Sequence, residues 1–548
     1  MGVLYLPKLT PFYKGIKMQD FLWWRDGVIY QIYPRSFFDT NQNGLGDLAG
    51  ITAKLNYLAN LGVDALWLSP FYPTPDADFG YDISDYADVD ARFGSLADFD
   101  DLVEASHKKG IRIILDLVLN HTSEQHLWFQ TSRRDSTNPK QDWYLWQDHI
   151  PNNWESIFGG KAWTFDEQRG QYYYHMFLKE QPDVNWRNPE VRKAQMDVLR
   201  FWLERDVDGF RLDVFNLYFK DEQLRSNPKK WGRRAFERQI HLYDGDQPEM
   251  ESVLKEMRSI LDKYPECYAV GETFLATREK ILRYNGPEKL HAAFDFEFLW
   301  SKYKPKKFLK AIENWESLAK ETNLFPNYVL SNHDVPRPAT RYGKGEDDAR
   351  IKIVMALLLT MRGTPFLYYG EEIGMRDISL KYHEIMDPPG KKYYPFNKGR
   401  DGCRSPMQWD DSTNAGFSSE KPWLPVHPNY KNRNVAAQQK DKNSIFNFTR
   451  QLIALRKKHQ TLRRGEIIPL TETPRDLMAY LRKDSDEKIL VILNFSKKKK
   501  TFTLPKGSWK VLFSEKRKGE FKEEITLLPH EVLLLFKPSN LPTFKPSN

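Results

Sequence analysis

Asp208-Gly-Phe-Arg-Leu-Asp-Val214 is the stretch on which the reading of this chain turns. Side chains alternate along a strand, so Arg211 and Asp213 share one face while Phe210, Leu212 and Val214 share the other. An apolar face packs against helices. A guanidinium and a carboxylate on the opposite, interior face are costly to bury unless they are paired or at work. Two readings of the pair follow: a structural ion pair, or a reactive carboxylate that Arg211 keeps ionised at neutral pH, as a nucleophile requires.

Apolar runs of the same kind recur at 28–33, 65–68, 111–119, 209–213, 268–272, 292–295, 328–330 and 365–369, which makes eight. Helical patterns lie between them: 52–61 stopping at Gly62, 96–109 stopping at Gly110, 189–204 entered through Asn188 with Pro189 first, and 350–361 with Ile351, Val354, Leu357 and Leu358 on one stripe. Strands alternating with helices, and strands apolar on both faces, predict an α/β chain whose main body is a (β/α)8 TIM barrel. Reactive groups of such barrels stand at the C-terminal ends of strands, which gathers Asp116, Asn120, His121, Asp213, Glu272, Asp295 and Asp334 at one mouth. Glu272 closes the apolar run 268–272, where desolvation raises a carboxyl pKa and suits a general acid.

Two insertions interrupt the pattern. Residues 122–188, rich in Trp, Tyr, Asn and Asp, are too long for a plain loop and are expected to form a small domain capping the mouth. Residues 376–428 follow the eighth strand and are rich in Pro and Gly. After a helix at 444–458, strand-like runs at 477–481, 489–495, 509–513 and 532–536 predict an all-β C-terminal domain. The expected organisation is a tail at 1–22, a barrel at 23–121 and 189–465, the capping insertion at 122–188, the β domain at 466–538 and a tail at 539–548, where Phe544-Lys-Pro-Ser-Asn repeats Phe536-Lys-Pro-Ser-Asn.

The 82 basic and 74 acidic residues leave a net charge of +8, which solvated lysines such as the run 497–500 account for; no nucleic-acid-reading motif accompanies them. The two cysteines form no framework, and no stretch has the length or apolarity of a membrane span or a secretory h-region. The expectation is a cytoplasmic enzyme with no nucleic-acid or membrane partner; the oligomeric state is not readable.

Asp116-Leu-Val-Leu-Asn-His121, Gly209-Phe-Arg-Leu-Asp213, Gly271-Glu272 and Asn332-His-Asp334 resemble, in order, the four short regions of the α-amylase superfamily, glycoside hydrolase family thirteen. Trp24-Arg-Asp-Gly-Val-Ile-Tyr-Gln-Ile-Tyr-Pro34, Gly80-Tyr-Asp-Ile-Ser-Asp-Tyr86, Gln181-Pro-Asp-Val-Asn-Trp186 and Arg404-Ser-Pro-Met-Gln-Trp409 are similar to bacterial α-glucosidases and oligo-1,6-glucosidases in particular. The resemblance implies an exo-acting, retaining α-glucosidase with no catalytic cofactor, acting on short α-glucosides. Asp213 is then the nucleophile, Glu272 the acid/base, and Asp334 the stabiliser of an oxocarbenium-like transition state. It further implies that His121 and His333 bond glucose hydroxyls, that Arg211 orients Asp213, that Tyr81 stacks under the terminal sugar, and that Asp78 and Arg400 close the pocket. Phe158 and Phe177 are either walls of that pocket or core of the insertion.

Asp39, Asn41, Asn43, Leu45 and Asp47 place oxygens at alternate positions of a Gly-containing turn. That suits Ca²⁺ or Mg²⁺, and related α-glucosidases hold structural Ca²⁺ in such a loop; the alternative is a metal-free turn, since Gly50 stands where an EF-hand has its bidentate Glu. Val214 resembles members preferring α-1,6 bonds, whereas 215–221 resembles those of broader taste, so α-1,4 and α-1,6 both stay open with a lean to the latter. Trehalose-phosphate hydrolase and trehalose synthase share this site, although no basic cluster in the sequence is assignable to a phosphate. A non-catalytic transporter heavy chain is disfavoured by the three acids and the lack of a span.

Overall fold

The computed structural model describes residues 21–538 except Ala276, Asp295, Asn323 and Glu346. Most of both expected tails, and Asp295, therefore lie outside the described residues.

All eight expected barrel strands are present: β1 (Ile29–Ile32), β2 (Ala65–Leu68), β3 (Arg112–Leu117), β7 (Gly209–Leu212), β8 (Tyr268–Gly271), β9 (Ala292–Ala293), β10 (Asn327–Val329) and β11 (Thr364–Tyr368). They pair in parallel in the order β10-β11-β1-β2-β3-β7-β8-β9, and a parallel bridge from Phe294 to Asn327 closes the ring. One parity packs outward: Tyr30, Ile32, Leu66, Leu68, Ile113, Leu115, Phe210 and Leu212 join the core under the helices. The other fills the lumen with Ile29, Ala65, Trp67, Ile114, Tyr268, Val270 and Phe366.

The helices start and stop where their sequence dictates. Leu96–Lys108 opens with a capping box made by Ser95 and Asp98, and Pro189–Leu203 is capped by the Asn188 side chain. Gly62 ends Leu55–Leu61 at φ 94°, a left-handed conformation that glycine adopts freely. Two expectations need correction. The helix expected over 52–61 is two pieces, Leu48–Ala53 and Leu55–Leu61, broken at Lys54. The helix Asp348–Thr360 buries almost its whole circumference, Ile353 and Leu359 included, because it is packed against both the barrel-side helices and the C-terminal sheet.

Within 122–188 a three-stranded sheet is formed by β4 (Trp146–Gln147), β5 (Trp163–Asp166) and β6 (Gln171–Tyr174) in the order β4-β6-β5, beside the helix Leu127–Ser132. The C-terminal domain contains β12 (Glu466–Pro469), β13 (Leu477–Lys483), β14 (Glu487–Asn494), β15 (Lys500–Thr503), β16 (Trp509–Phe513), β17 (Glu520–Phe521), β18 (Glu524–Leu527) and β19 (Val532–Pro538). Six of them form a sheet in the order β12-β13-β14-β19-β16-β17, and β15 and β18 pair separately. Among the described residues no helix is long and apolar enough to cross a membrane.

Candidate active site

Strand register creates the heart of the site. Asp116 on β3 lies directly beside Arg211 on β7, both of lumen parity, so the guanidinium meets the carboxylate without any loop rearrangement. Arg211 Nη1 donates to Asp116 at 2.6 Å and to Asp213 at 2.7 Å, while its Nη2 donates to Glu272. Tyr81 and Trp67 add donors to Asp116 at 2.9 and 3.2 Å. Asp213 and Glu272 each follow the last residue of their strand, and their backbone amides are anchored to Leu117 and Leu212 of the neighbouring strands. Val214 then turns the chain at φ 32°, a left-handed conformation that costs a β-branched residue roughly 1–3 kcal/mol.

One guanidinium is thus divided among three buried acids. Burial is the largest influence on Asp213, and it, together with Glu272, Asp116 and Asp334, pushes the carboxyl well above its usual range despite Arg211. Arg211 opposes that rise, as expected of a partner that favours the ionised form, and because Asp116 and Glu272 share its charge the protonation of the three acids is linked. Burial likewise raises Glu272 and Asp116, against the pull of Arg211.

Asp334 behaves oppositely. Its surroundings strip it of water, which raises its pKa, but its side chain stays a third exposed, and His333, Arg400, Arg404 and Arg211 together hold the carboxyl well below the usual range. Arg404 donates to it at 3.0 Å and Arg400 at 3.3 Å, and His333 Nε2 lies 3.3 Å away. The His333 ring is buried, which lowers its pKa to about 3 and leaves it neutral, so the arginines carry the effect at neutral pH. Gln31 donates to His333 Nδ1 at 2.8 Å, and Tyr81 stacks on the His333 ring at 5.1 Å. His121 is buried too, with its pKa lowered to about 4, and its Nε2 donates to the Tyr81 carbonyl at 2.9 Å.

Across the mouth Arg400 ties together segments far apart in sequence. It donates to Asp78 at 2.5 Å and to Asp387 at 2.6 Å, and its guanidinium lies 5.1 Å from the Phe158 ring centre. Phe158 meets Phe177 edge-on, and Phe177 lies 5.1 Å from His121, so both rings reach the Asp78–Arg400 side of the site as well as packing within the insertion. The structure therefore brings Asp78, Tyr81, His121, Phe158, Phe177, Arg211, Asp213, Glu272, His333, Asp334 and Arg400 around one opening.

Asp39, Asn41, Asn43, Leu45 and Asp47 form a separate turn. Asp39 accepts from Gln42, Gly44 and Ser418; both Asp47 oxygens accept two donors each, from Thr40, Asn41 and Gly50. Asp47 is thereby the N-cap of Leu48–Ala53. Of the Asp39 oxygens, Oδ2 accepts two donors and Oδ1 one, and Asn43 Oδ1 accepts from the Leu45 amide, so Asp39 Oδ1 and Asn43 Oδ1 each keep capacity for one more partner. Among the described residues no group of three or more His, Cys, Asp or Glu side chains is arranged to hold a metal.

Sequence reasoning passed over several residues. Asp116 was placed at the mouth but given no task. Arg404 heads the segment 404–409 that carries part of the resemblance but was given no role, and Asp387 lies in the long 376–428 insertion, where no periodicity marks it; both are buried charges. Lys220, buried, donates to Asp183 at 2.5 Å and to Asn120 at 3.0 Å, joining the turn after β7 to the insertion and to the end of β3.

A closed parallel barrel with paired carboxylates at its mouth suits a glycoside hydrolase. The chain belongs to the α-amylase family: the alpha amylase catalytic domain matches residues 31–465, and the C-terminal domain of the α-amylase SusG matches 477–532. It is 44% identical to a probable alpha-glucosidase of Rhizobium meliloti (strain 1021), over 88% of this chain and 91% of that one. It is 41% identical to the oligo-1,6-glucosidase of Parageobacillus thermoglucosidasius, over 88% and 92%, and 37% identical to the trehalose-6-phosphate hydrolase of Bacillus subtilis (strain 168), over 95% and 100%. The crystal structure of the alpha-glucosyl transfer enzyme XgtA superposes with a TM-score of 0.89 at 41% identity, covering 94% of this chain and all of that one.

Proposed function

We propose that this protein is an exo-acting, retaining α-glucosidase that removes terminal α-linked glucose from short α-glucosides. The observation that carries this reading is the shared contact of Asp213 and Glu272 with the single guanidinium of Arg211. Such nearness favours the retaining arrangement, in which the carboxyl groups stand roughly 5–5.5 Å apart, over the inverting one at roughly 6.5–9.5 Å.

Asp213 attacks the anomeric carbon as the bond to the leaving oxygen breaks, and that oxygen takes the Glu272 proton. Glu272, now ionised, removes a proton from water, whose oxygen bonds the anomeric carbon and frees Asp213. Asp334, held ionised by its arginines, stabilises the positive charge that develops on the sugar. The Asp78–Arg400 pair blocks one end of the site, which supports attack on the terminal residue only. Tyr81, His121 and His333 supply the sugar's stacking face and hydrogen bonds, and Phe158 and Phe177 its wall.

Val214 and the oligo-1,6-glucosidase relative support a lean toward α-1,6 bonds. Hydrolysis of a panel of glucose disaccharides, with the released sugar followed by NMR, tests both points. The expected first product is α-glucose, with isomaltose turned over at least as well as maltose. β-Glucose as first product refutes the retaining mechanism, and a large maltose advantage removes the lean.

The turn of Asp39, Asn41, Asn43 and Leu45 is proposed to take Ca²⁺ or Mg²⁺ in a stabilising role, with Asp47 joining only by giving up a backbone donor. Melting with chelator and then with added Ca²⁺ tests this. A higher Tm with the ion is expected, and identical curves reject the site.

A further inference from the structure

Beside the catalytic acids the structure opens into a cavity of about 1070 Å³, bounded by Glu272 and Asp334 at one end and by Trp300, Lys302, Lys307 and Lys310 along its wall. It lies on the Glu272 side, where a leaving group would sit, and not on the Asp78–Arg400 side that encloses the terminal glucose. The volume is ample for a further sugar ring. Trp300 is 61% exposed, a large ring left open to solvent where an apolar sugar face could cover it.

The wall is unusually basic. Residues 301–310 read Ser-Lys-Tyr-Lys-Pro-Lys-Lys-Phe-Leu-Lys, five lysines in ten positions. Lys307 and Lys310 are one turn apart on the helix Pro305–Thr322, so both reach the same wall. Lys306 and Lys307 stand in that helix's first turn, where the macrodipole opposes positive charge, so helix stability does not explain them. Among the described residues Lys302, Lys307 and Lys310 enter no ion pair; Glu297, also on the wall, is bonded by the Asn314 amide at 2.7 Å. The sequence alone offered no basic cluster assignable to a phosphate, because three lysines scattered over nine residues become one surface only once the segment folds against the cleft.

We infer that this cavity receives a leaving group bearing a phosphate, with the sugar ring over Trp300 and the phosphate among Lys302, Lys307 and Lys310. The ionised Asp334 at the cavity's inner end repels a phosphate and so directs it outward to the lysines. The preferred substrates are then α-glucosides of a phosphorylated monosaccharide, cleaved by the same acids. The inference rests on the α-glucosidase reading for its chemistry but not for its test.

Calorimetric titration of the intact enzyme with glucose 6-phosphate and with glucose decides it, since binding is read without turnover. Glucose 6-phosphate is expected to bind at least about ten-fold tighter at low salt, with the preference shrinking as salt is added and collapsing in the K302Q/K307Q/K310Q variant. It is also expected to inhibit hydrolysis of a neutral chromogenic α-glucoside competitively. Equal affinities, or a preference that survives both salt and the triple variant, overturn the inference. Failure to hydrolyse the chromogenic glucoside instead defeats the α-glucosidase reading, while the calorimetric difference still stands or falls alone.

Discussion

Arg211 does what two or three positive charges would be expected to do. With Asp116, Asp213 and Glu272 on one guanidinium, Asp116 raises the pKa of both Asp213 and Glu272, and Glu272 raises that of Asp213. Asp116→Asn removes one negative charge, so the acid limb of kcat/KM should move to lower pH; an unmoved or upward-shifted limb contradicts the coupling. That arrangement was half legible beforehand. Parity along 208–214 paired Arg211 with Asp213, and both strand ends were marked by acids. The sharing of Arg211 was not legible, because it depends on the register of β3 against β7, which no local pattern records. For the same reason Arg404, from a segment without periodicity, went unassigned although it holds Asp334 at 3.0 Å. Arg404→Met should raise the Asp334 pKa and cut kcat more than it changes KM, since the charge it supports matters most in the transition state. A change confined to KM would show that Arg404 serves binding instead.

At the scale of elements, the insertion is fixed to the barrel by a buried ion pair and not by apolar contact alone. Lys220 joins Asp183, Asn120 and the Leu217 carbonyl, with the Trp186–Tyr218 stack alongside at 4.5 Å. Removing one partner of such a pair strands the other charge, at a cost of roughly 3–5 kcal/mol. Asp183→Asn should therefore lower Tm markedly and loosen the Phe158–Phe177 wall, seen as a raised KM; a variant melting like the parent would show that the pair contributes nothing. Helices with clear caps, such as Leu96–Lys108, were readable from sequence because the cap and the period are local. The strands β15, β17 and β18 were not, since they are short and lie among lysines and glutamates with little apolar alternation.

For the molecule as a whole, neutral imidazoles buried at the mouth tie stability to pH. His121 and His333 have pKa values lowered to about 4 and about 3 by burial, against 6.5 when exposed. As pH falls below 6.5 the unfolded chain binds protons at these two imidazoles that the folded chain does not, so their contribution to stability is full above that value and is lost progressively toward pH 4. Buried acids such as Glu371 and Asp82, whose pKa values are raised to about 8 and about 7, contribute in the opposite direction. The His333→Asn variant should lose less Tm than the parent between pH 7 and pH 4; an identical pH dependence of the two would contradict this. The central claim is nevertheless chemical: Asp213 forms the covalent bond and Glu272 serves the leaving group and the water. The most direct measurement is the mass of Glu272→Gln after exposure to α-glucosyl fluoride, whose leaving group needs no acid. The account predicts one added glucosyl unit, on the peptide carrying Asp213 and absent when Asp213 is replaced by Asn. An adduct on another carboxylate, or steady hydrolysis by the Asp213→Asn enzyme, would contradict it.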